Sequence, residues 1–265
     1  MQIIRGRKAL VTGAASGIGR AMALALAREG ADLFLVDRDE ARLHATAREA
    51  QKLSVRVLTR VCDLTRPAEV SACVNAILSA WGTLNILINN AGIAYYGPTH
   101  DMTAPQWDGI IAVNLLAPIQ FVRELLPTLR TEDEAHILNV CSVFGLVPLR
   151  KGAAYQTSKF GLVGLSAALR AEYGREIGVT ALCPGFVDTP LLETFASGGS
   201  QKRHRIPGWL RASPEHVATV AIEAIRRNRG VVVITPAARL LWFATRFSPR
   251  LVDWITRQGW RRRRR

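Results

Sequence analysis

A buried strand, a glycine-rich turn and a helix follow one another near the start of the chain and constrain its fold more than any other feature. The residues KALVTG (8–13) form an apolar run that ends in glycine, which is typical of a strand buried on both faces. The turn continues as TGAASGIG (12–19), and a helix is predicted over residues 18–28. Free backbone N–H groups and the helix dipole make such a helix N-terminus a site for anions. The pattern therefore predicts a phosphate-binding turn at one edge of a parallel sheet.

The same alternation of strands and helices continues to about residue 235. Further strands are predicted at residues 31–37, 54–63, 84–92, 135–142, 178–185 and 230–235, and further helices at 40–52, 67–81, 105–129, 153–176 and 214–228. Right-handed crossovers between parallel strands place helices on both faces of a sheet. We therefore predict an α/β fold, a Rossmann-like doubly wound parallel sheet of about seven strands in the order 3-2-1-4-5-6-7.

Composition excludes several other classes of protein. Apolar residues make up 49% of the chain and charged residues 21%, which allows a sizeable core and argues against global disorder. The four cysteines (Cys62, Cys73, Cys141 and Cys183) are widely scattered, which argues against a zinc site or a disulfide framework and favours a reducing compartment. We expect no signal peptide, no membrane-spanning helix, no metal and a cytoplasmic location.

Three glycines in the first turn have separable roles. Gly13 permits the tight turn, Gly17 lets a pyrophosphate approach the backbone, and Gly19 allows close packing of helix on strand. The spacing is GxxxGxG, which differs from the GxGxxG of the best-known dinucleotide fingerprint. The glycines alone are also compatible with a purely structural turn.

An acidic residue at the end of the second strand indicates which dinucleotide binds. Asp37 lies 18 residues after Gly19, where a carboxylate would meet the adenosine ribose hydroxyls. A carboxylate there repels a 2′-phosphate, so we expect NAD as the cofactor rather than NADP. Arg38 and Arg20 leave NADP open, because either could pair with a 2′-phosphate unless both are solvated surface charges.

A tyrosine and a lysine one helical turn apart suggest acid–base chemistry. Tyr155 and Lys159 share a helix face. We expect the ammonium and the positive nicotinamide ring to lower the pKa of the phenol from about 10, so that it exchanges a proton with an alcohol or a carbonyl. Ser142 follows the fifth strand, where its hydroxyl could hold the substrate oxygen. Asn114 lies in the long fourth helix, either as part of this group or as a tolerated polar residue.

Several stretches carry a resemblance to a known family. They are TGAASGIG (12–19), NNAG (89–92), Asn114, Ser142, YQTSK (155–159) and PGFVDT (184–189), in that order. Over about residues 5–235 the sequence resembles a short-chain dehydrogenase/reductase of the family's common length of about 250 residues. The resemblance implies a catalytic tetrad of Asn114, Ser142, Tyr155 and Lys159, with Asn114 holding a water that links Lys159 to bulk solvent.

The resemblance, together with the glycine turn, also implies a set of cofactor-binding residues. Asp63 and Leu64 would flank the adenine, and Thr189 would bond the carboxamide. The full set is Gly13, Ser16, Gly17, Ile18, Gly19, Asp37, Arg38, Asp63, Leu64, Asn90, Ala91, Gly92, Tyr155, Lys159, Pro184, Gly185, Val187 and Thr189.

The expected activity is hydride transfer between a nicotinamide and a secondary alcohol or ketone. In the loop over residues 190–210, Leu191, Leu192, Phe195, Trp209 and Leu210 are predicted to line an apolar pocket, and residues 197–205 to form a mobile lid. An apolar small-molecule substrate of steroid, retinoid or acyl-chain type is therefore expected. His204 in this loop is interpreted as a solvated residue. The alternative is a catalytically silent nucleotide sensor or scaffold.

The last thirty residues carry most of the excess charge. Residues 236–265 contain nine arginines and one aspartate, which give a formal charge of +8 out of the total of +14. We expect a dinucleotide-binding and catalytic domain over residues 1–235 and a basic amphipathic tail over residues 236–265. Apolar residues recur in the tail near helical period. This pattern suits a helix that binds peripherally to the anionic inner face of a membrane, or one that packs on a partner subunit. Nucleic acid is the least favoured partner, and a homodimer or homotetramer is expected.

Overall fold

Seven parallel strands form the central sheet of the computed structural model, which describes residues 1–148, 150–191, 207–248 and 250. The strands of this sheet are β1 (Lys8–Thr12), β2 (Asp32–Asp37), β3 (Val57–Val61), β4 (Ile86–Asn89), β5 (Ala135–Val140), β6 (Ile177–Cys183) and β9 (Val231–Val233). Their order is β3-β2-β1-β4-β5-β6-β9, so the predicted order is confirmed, with β9 as the seventh strand. Two short strands, β7 (Phe186–Val187) and β8 (Arg211–Ala212), pair outside the sheet and were not predicted.

The helices of the described chain alternate with these strands. They are α1 (Gly17–Arg28), α2 (Glu40–Gln51), α3 (Pro67–Trp81), α4 (Ala104–Ile111), α5 (Ala117–Leu129), α6 (Ala153–Tyr173), α7 (Pro214–Arg226) and α8 (Pro236–Phe247). Helix α3 shows how the sequence sets such bounds. It begins with Pro67, where a missing N–H costs little, and ends before Gly82, whose φ of 69° favours glycine.

Successive side chains of β1 enter different halves of the core. Ala9 and Val11 pack in a cluster with α1, α2 and α7, whereas Leu10 packs in a cluster with α3 and α5. Since alternate residues of a strand point to opposite faces, helices cover both faces of the sheet. A third, smaller cluster contains Cys141 and Cys183 and lies near the carboxyl edge. The doubly wound architecture expected from the sequence is therefore confirmed.

The long helix predicted over residues 105–129 is interrupted. Residues Ala112–Leu116 form a π-helical segment between α4 and α5, in which the amide of Ala117 donates to the carbonyl of Ala112. Pro118 has no N–H, so it cannot bond the carbonyl of Asn114 four residues earlier. The α-helical hydrogen bond to that carbonyl is therefore missing, and the helix widens into the π-helical segment at the position of Asn114.

Taken as one run, Ala104–Leu129 is the single helical stretch of the described chain that is long and apolar enough, by length and composition, to cross a membrane. None was expected from the sequence. The side chains of Phe121, Leu125 and Leu129 in this run are fully buried in the core. A single helical run of this kind, which is partly buried in the core, is weak evidence for a membrane span.

A neutral histidine is buried in the middle of the sheet. His136 of β5 is fully buried, and its Nε2 lies 2.9 Å from the hydroxyl oxygen of Thr180 on β6. Loss of solvation on burial lowers the pKa of His136 to about 3, from an ordinary value of 6.5. The folded protein therefore holds this imidazole uncharged at any pH above that value.

Acidification is expected to destabilise the fold through His136. Below pH 6.5 the unfolded chain takes up a proton on this imidazole and the folded chain does not. The free energy of unfolding should therefore fall by about 1.4 kcal/mol for each pH unit from 6.5 towards 3. Urea unfolding at several pH values measures this slope. His136→Gln keeps a polar partner for Thr180 but cannot take up the proton, so its slope should be shallower by that amount. Equal slopes for the two proteins would contradict the assignment.

Candidate active site

Hydrogen bonds between the ends of β1 and β4 hold the site together. The hydroxyl oxygen of Thr12 accepts from the amides of Asn90 (3.0 Å) and Ala91 (3.1 Å). In return, the side-chain amide of Asn90 donates to the carbonyls of Thr12 (2.9 Å) and Gly13 (3.2 Å). The glycine turn after β1 and the loop after β4 are thereby fixed against each other.

The glycines of the turn allow backbone segments to approach closely. Gly13 has a φ of 68°, and a Cβ there would lie 2.8 Å from the Cα of Ala91. A Cβ on Gly19 would overlap the carbonyl oxygen of Gly13, so α1 packs directly on the turn. At the start of α1, the side chain of the N-cap residue Ser16 makes no capping hydrogen bond, and the first turn holds no acidic residue. The positive end of this helix is therefore available to an anion.

The carboxylate of Asp37 is held at the end of β2. One of its oxygens accepts from the amide of Ala15 in the glycine turn (2.9 Å), and the other accepts from the amide of Asp39 (3.0 Å). The two bonds hold the negative charge of Asp37 in the wall of the cleft, beside the glycine turn.

The two arginines near Asp37 have different surroundings. The guanidinium of Arg20 lies 2.6 Å from a carboxylate oxygen of Glu49, and Arg20 does not line the cleft. Arg38 is exposed and does line it. Arg38 is therefore the arginine of the two that a bound nucleotide would meet.

Asp63 and Leu64 lie at the end of the cleft next to β3. The carboxylate of Asp63 accepts from the amide (3.0 Å) and the hydroxyl (2.8 Å) of Thr65. These bonds, the backbone bond foremost, hold the pKa of the Asp63 carboxyl below its usual range.

Tyr155 and Lys159 on α6 both point into the cleft and are almost fully buried. The ammonium of Lys159 donates to the carbonyl of Val140 at the end of β5 (2.8 Å) and lies 5.8 Å from the centre of the Tyr155 ring. The hydroxyl of Ser142 hydrogen-bonds the phenol of Tyr155. Helix α6 and the end of β5 thus bring these three side chains to one edge of the cleft.

In the protein without cofactor, Lys159 does not lower the pKa of Tyr155 as expected, and the effect of a bound nicotinamide ring stays a prediction. Burial raises the pKa of Tyr155 to about 12, and the hydrogen bond from Ser142 offsets only part of this effect. Burial also lowers the pKa of Lys159. Loss of solvation disfavours the phenolate more than its neighbours favour it, which a sequence pattern of one tyrosine and one lysine does not reveal.

Asn114 lies behind the cleft, fully buried in the π-helical segment. Its side-chain oxygen accepts from the amide of Ile93 (2.8 Å), and its side-chain nitrogen donates to the carbonyl of Ile93 (2.9 Å) and to the hydroxyl oxygen of Ser158 (3.1 Å). A Cβ on Gly92 would lie 3.4 Å from the Asn114 side-chain oxygen and 3.5 Å from the Lys159 ammonium. Asn114 therefore ties the loop after β4 to α6 close to Lys159.

A single turn after β5 positions Ser142. This residue is extended, and its hydroxyl oxygen accepts from the amide of Phe144 (3.1 Å). The amide of Val143 donates to the carbonyl of Pro184 in the loop after β6 (2.9 Å). A Cβ on Gly145 would lie 2.7 Å from the carbonyl oxygen of Lys159, so the turn packs directly on α6. Gly145 is a positioning residue that the sequence did not reveal.

The structure brings most of the predicted residues to one cleft of about 350 Å³. Those that line it are Gly13, Ser16, Gly17, Ile18, Asp37, Arg38, Asp63, Leu64, Asn90, Ala91, Gly92, Ser142, Tyr155, Lys159, Pro184, Gly185, Val187 and Thr189. Gly19 and Asn114 pack behind it. Phe186, within the predicted stretch 184–189, lines the cleft as well. Residues that were not predicted are Cys62, Ile93, Val113, Val140, Cys141, Phe144 and Pro190. Most of them are apolar, and they adjoin predicted positions at strand ends, but they carry no chemical signal of their own.

Few of the residues predicted to contact substrate fall within the described chain. Leu191 lines the cleft, and the rings of Phe144 and Phe186 meet edge to face beside it, with their centres 5.7 Å apart. Leu210 is half-buried and does not line the cleft. Leu192, Phe195, His204, the lid over residues 197–205 and the side chain of Trp209 lie outside the described residues.

Gly145→Ala is expected to destabilise the protein at the active site. The new methyl group would meet backbone atoms of Lys159 at 2.7–2.9 Å, so the turn or α6 must move. The free energy of unfolding should fall by about 1–3 kcal/mol, as measured by urea titration. Gly164→Ala on the same helix is the control, because nothing lies within 4 Å of its Cβ position. That change should stabilise by up to about 1 kcal/mol. Equal stabilities for the two variants would show that the turn does not rest on α6.

Comparison with known proteins agrees with this architecture. The family model for short chain dehydrogenases matches residues 7–198. D-beta-hydroxybutyrate dehydrogenase of Cupriavidus necator is 32% identical over 87% of this chain and 96% of its own length. A short-chain dehydrogenase/reductase of Burkholderia phymatum in complex with NAD superposes with a TM-score of 0.84 (29% identity, 95% of this chain, 96% of that one).

L-sorbose reductase of Gluconobacter frateurii, complexed with NADPH and L-sorbose, superposes with a TM-score of 0.79 (29% identity, 89% of this chain, 97% of that one). The resemblance seen in the sequence is thus confirmed by both kinds of comparison, and a nicotinamide cofactor is supported. The chain belongs to the short-chain dehydrogenase/reductase family of oxidoreductases.

Proposed function

We propose that this oxidoreductase uses NAD to interconvert a secondary alcohol and a ketone on an apolar small molecule. The observation that carries the proposal is the meeting of Ser142, Tyr155 and Lys159 at one end of a cleft whose other end holds the glycine turn and Asp37. The groups that could transfer a proton and those that could bind a nucleotide thus line the same cleft.

The residues present fit a nicotinamide dinucleotide. The positive end of α1 suits a pyrophosphate, Asp37 suits ribose hydroxyls, and the ammonium of Lys159 lies in the same cleft. When bound, such a cofactor supplies or accepts a hydride. We propose that the predicted cofactor-binding residues hold it, with Asp63 and Leu64 at the adenine and Thr189 at the carboxamide.

Tyr155 is proposed as the acid and base of the reaction. Because burial raises its pKa to about 12, the phenol is protonated at neutral pH and can give its proton to a carbonyl oxygen during reduction. Lys159 would then stabilise the phenolate, and Ser142 would hold the substrate oxygen. In the oxidative direction the phenolate takes the proton of the alcohol.

Asn114 is proposed to connect this proton to solvent. Its side chain is engaged by Ile93 and Ser158, so a water would bind its backbone carbonyl, which Pro118 leaves without the usual donor four residues on. The Lys159 ammonium would be the next group in the relay. It lies close to Asn114, because a Cβ built on Gly92 would lie 3.4 Å from the Asn114 side-chain oxygen and 3.5 Å from the ammonium.

The choice of NAD over NADP is supported by charge. Asp37 would repel a 2′-phosphate, and Arg20 is already paired with Glu49. Arg38 is the residue that would favour NADP. One structural neighbour binds NAD and another NADPH, so both cofactors occur on this fold.

An acyl-chain-like substrate is the most favoured of the three expected types. The apolar side chains of Phe144, Phe186 and Leu191 line the cleft and would suit an acyl chain. The relative from Cupriavidus necator is named for D-beta-hydroxybutyrate, a small charged hydroxy acid, so it supports a 3-hydroxy group at the reacting carbon but not an apolar chain.

Four further expectations stay predictions: a cytoplasmic location, the division of the chain at residue 235, a homodimer or homotetramer, and a membrane contact of residues 236–265. A catalytically silent sensor would keep the nucleotide site and show no turnover.

Tyr155→Phe should abolish turnover and leave the cofactor affinity nearly unchanged. The ring is kept, but the proton that balances hydride transfer is lost, so kcat should fall by at least about 100-fold. Oxidation and reduction of hydrophobic 3-hydroxy and 3-oxo acyl compounds, followed at the nicotinamide absorbance, measure this. Tyr173→Phe is the matched control, because Tyr173 is on the same helix and does not line the cleft. Turnover of the Tyr155 variant within about tenfold of wild type would refute the assignment.

Asp37→Asn should shift the cofactor preference towards NADP. The amide keeps an acceptor for one backbone N–H and removes the negative charge that repels a 2′-phosphate. The ratio of kcat/KM for NADP to that for NAD should rise by about tenfold, or about 1.4 kcal/mol. Asp39→Asn, which alters the neighbouring N-cap of α2 outside the cleft, should leave the ratio unchanged. A wild-type enzyme that already prefers NADP would overturn the proposed cofactor.

A further inference from the structure

Helix α8 is anchored to the domain by one side. Thr235 caps it, accepting from the amide of Ala238 (3.3 Å), and Ala238 is buried. Trp242 packs against the small cluster at the carboxyl edge, and the guanidinium of Arg239 donates to the carbonyl of Val233 (2.8 Å). The helix is therefore a fixed part of the domain surface.

The other side of α8 exposes large apolar side chains. The exposed fractions are 73% for Leu240, 49% for Phe243 and 81% for Phe247, and Leu241 beside them is 40% exposed. Residues 240, 243 and 247 recur at helical spacing on one side, and the rings of Phe243 and Phe247 stack with centres 6.3 Å apart. We call these four residues the α8 face. Elsewhere in the described chain, exposed large apolar residues are scattered along the sequence, so this cluster stands out.

Positive charge accompanies the α8 face. Helix α8 contains Arg239 and Arg246 and no acidic residue, and Arg250 follows it. Within the sequence, residues 236–265 carry a formal charge of +8. Apolar and aromatic side chains flanked by arginine are the pattern of helices that lie in the interface of an anionic bilayer.

We propose that the α8 face docks on the surface of an anionic lipid bilayer, with Leu240, Phe243 and Phe247 among the acyl chains and the arginines at the headgroups. A second copy of the chain is a poorer occupant, because a twofold pairing of this face would bring two sets of like charges together. Nucleic acid would match the arginines but leave the apolar side chains uncovered. The inference does not depend on the proposed reaction.

The N-terminal end of α8 contacts the loop after β6, which lines the active-site cleft. A Cβ on Gly185 would lie 2.7 Å from the hydroxyl oxygen of Thr235 and 3.6 Å from the Cβ of Ala238. Trp242 packs on the same cluster as Phe144, which lines the cleft. A bilayer bound to the α8 face would therefore lie on an element that touches the substrate end of the site.

Sedimentation of the purified full-length protein with vesicles tests the proposal. The vesicles are phosphatidylcholine alone, or phosphatidylcholine with about one third phosphatidylserine, at about 0.15 M salt. Wild type should bind the anionic vesicles at least about tenfold more tightly than the neutral ones. The double variant Phe243→Ser/Phe247→Ser should lose at least about tenfold of that affinity. Ile3→Ser is the matched control, because Ile3 is 66% exposed away from α8, and it should bind like wild type.

Circular dichroism and size-exclusion chromatography accompany the binding assay. The double variant should keep the wild-type spectrum and oligomeric state, since its two side chains are not in the core. Failure of wild type to bind anionic vesicles, or equal binding by the double variant, overturns the proposal. A double variant that changes only the oligomeric state would mean that a second copy covers the face. Retention of DNA without vesicle binding would overturn it in favour of nucleic acid.

Discussion

The reciprocal hydrogen bonds between Thr12 and Asn90 are the constraint on which the cleft depends. Strands β1 and β4 are neighbours in the sheet, but the chain leaves them towards opposite faces, which opens a crevice at their carboxyl ends. The bonds fix the glycine turn and the loop after β4 as its two walls. The start of α1, Gly92 and, through Ile93, Asn114 all take their positions from this junction.

The fold could be predicted because its signals are local. Most strands of the sheet are short, largely apolar runs that end near glycine, asparagine or aspartate, and amphipathic helices follow them, so element order and topology followed from connection rules. The π-helical segment could not be placed in the same way, although Pro118 was visible in the sequence. Whether a proline kinks, ends or widens a helix depends on how the surrounding residues pack. The pair formed by β7 and β8 joins distant residues and leaves no periodic pattern.

The residues of the candidate site divide in the same way, into those with a local sequence signal and those whose role depends on the folded chain. Residues whose side chains carry chemistry, such as Asp37, Ser142 and Lys159, were recognisable by type and by position after a strand. Gly145 and Val140 were not, because they act through backbone contacts with Lys159 that exist only in the folded chain. The raised pKa of Tyr155 in the protein without cofactor has the same origin, and the effect of a bound nicotinamide ring on it stays a prediction. A tyrosine and a lysine four residues apart suggest an interaction between charges. The pKa of the phenol is instead set mainly by its burial, which depends on the whole fold.

The interior position of all four thiols has a practical consequence. Cys62, Cys73, Cys141 and Cys183 are buried and none is paired in a disulfide, so the native protein offers a maleimide reagent no ready attachment point outside the cleft that Cys62 and Cys141 line. A cysteine introduced at an exposed position such as Leu240 would then take up a fluorophore or spin label at one defined place. The natural sequence is thus already a background for spectroscopic measurements of distance and environment, without prior removal of its own sulfur groups.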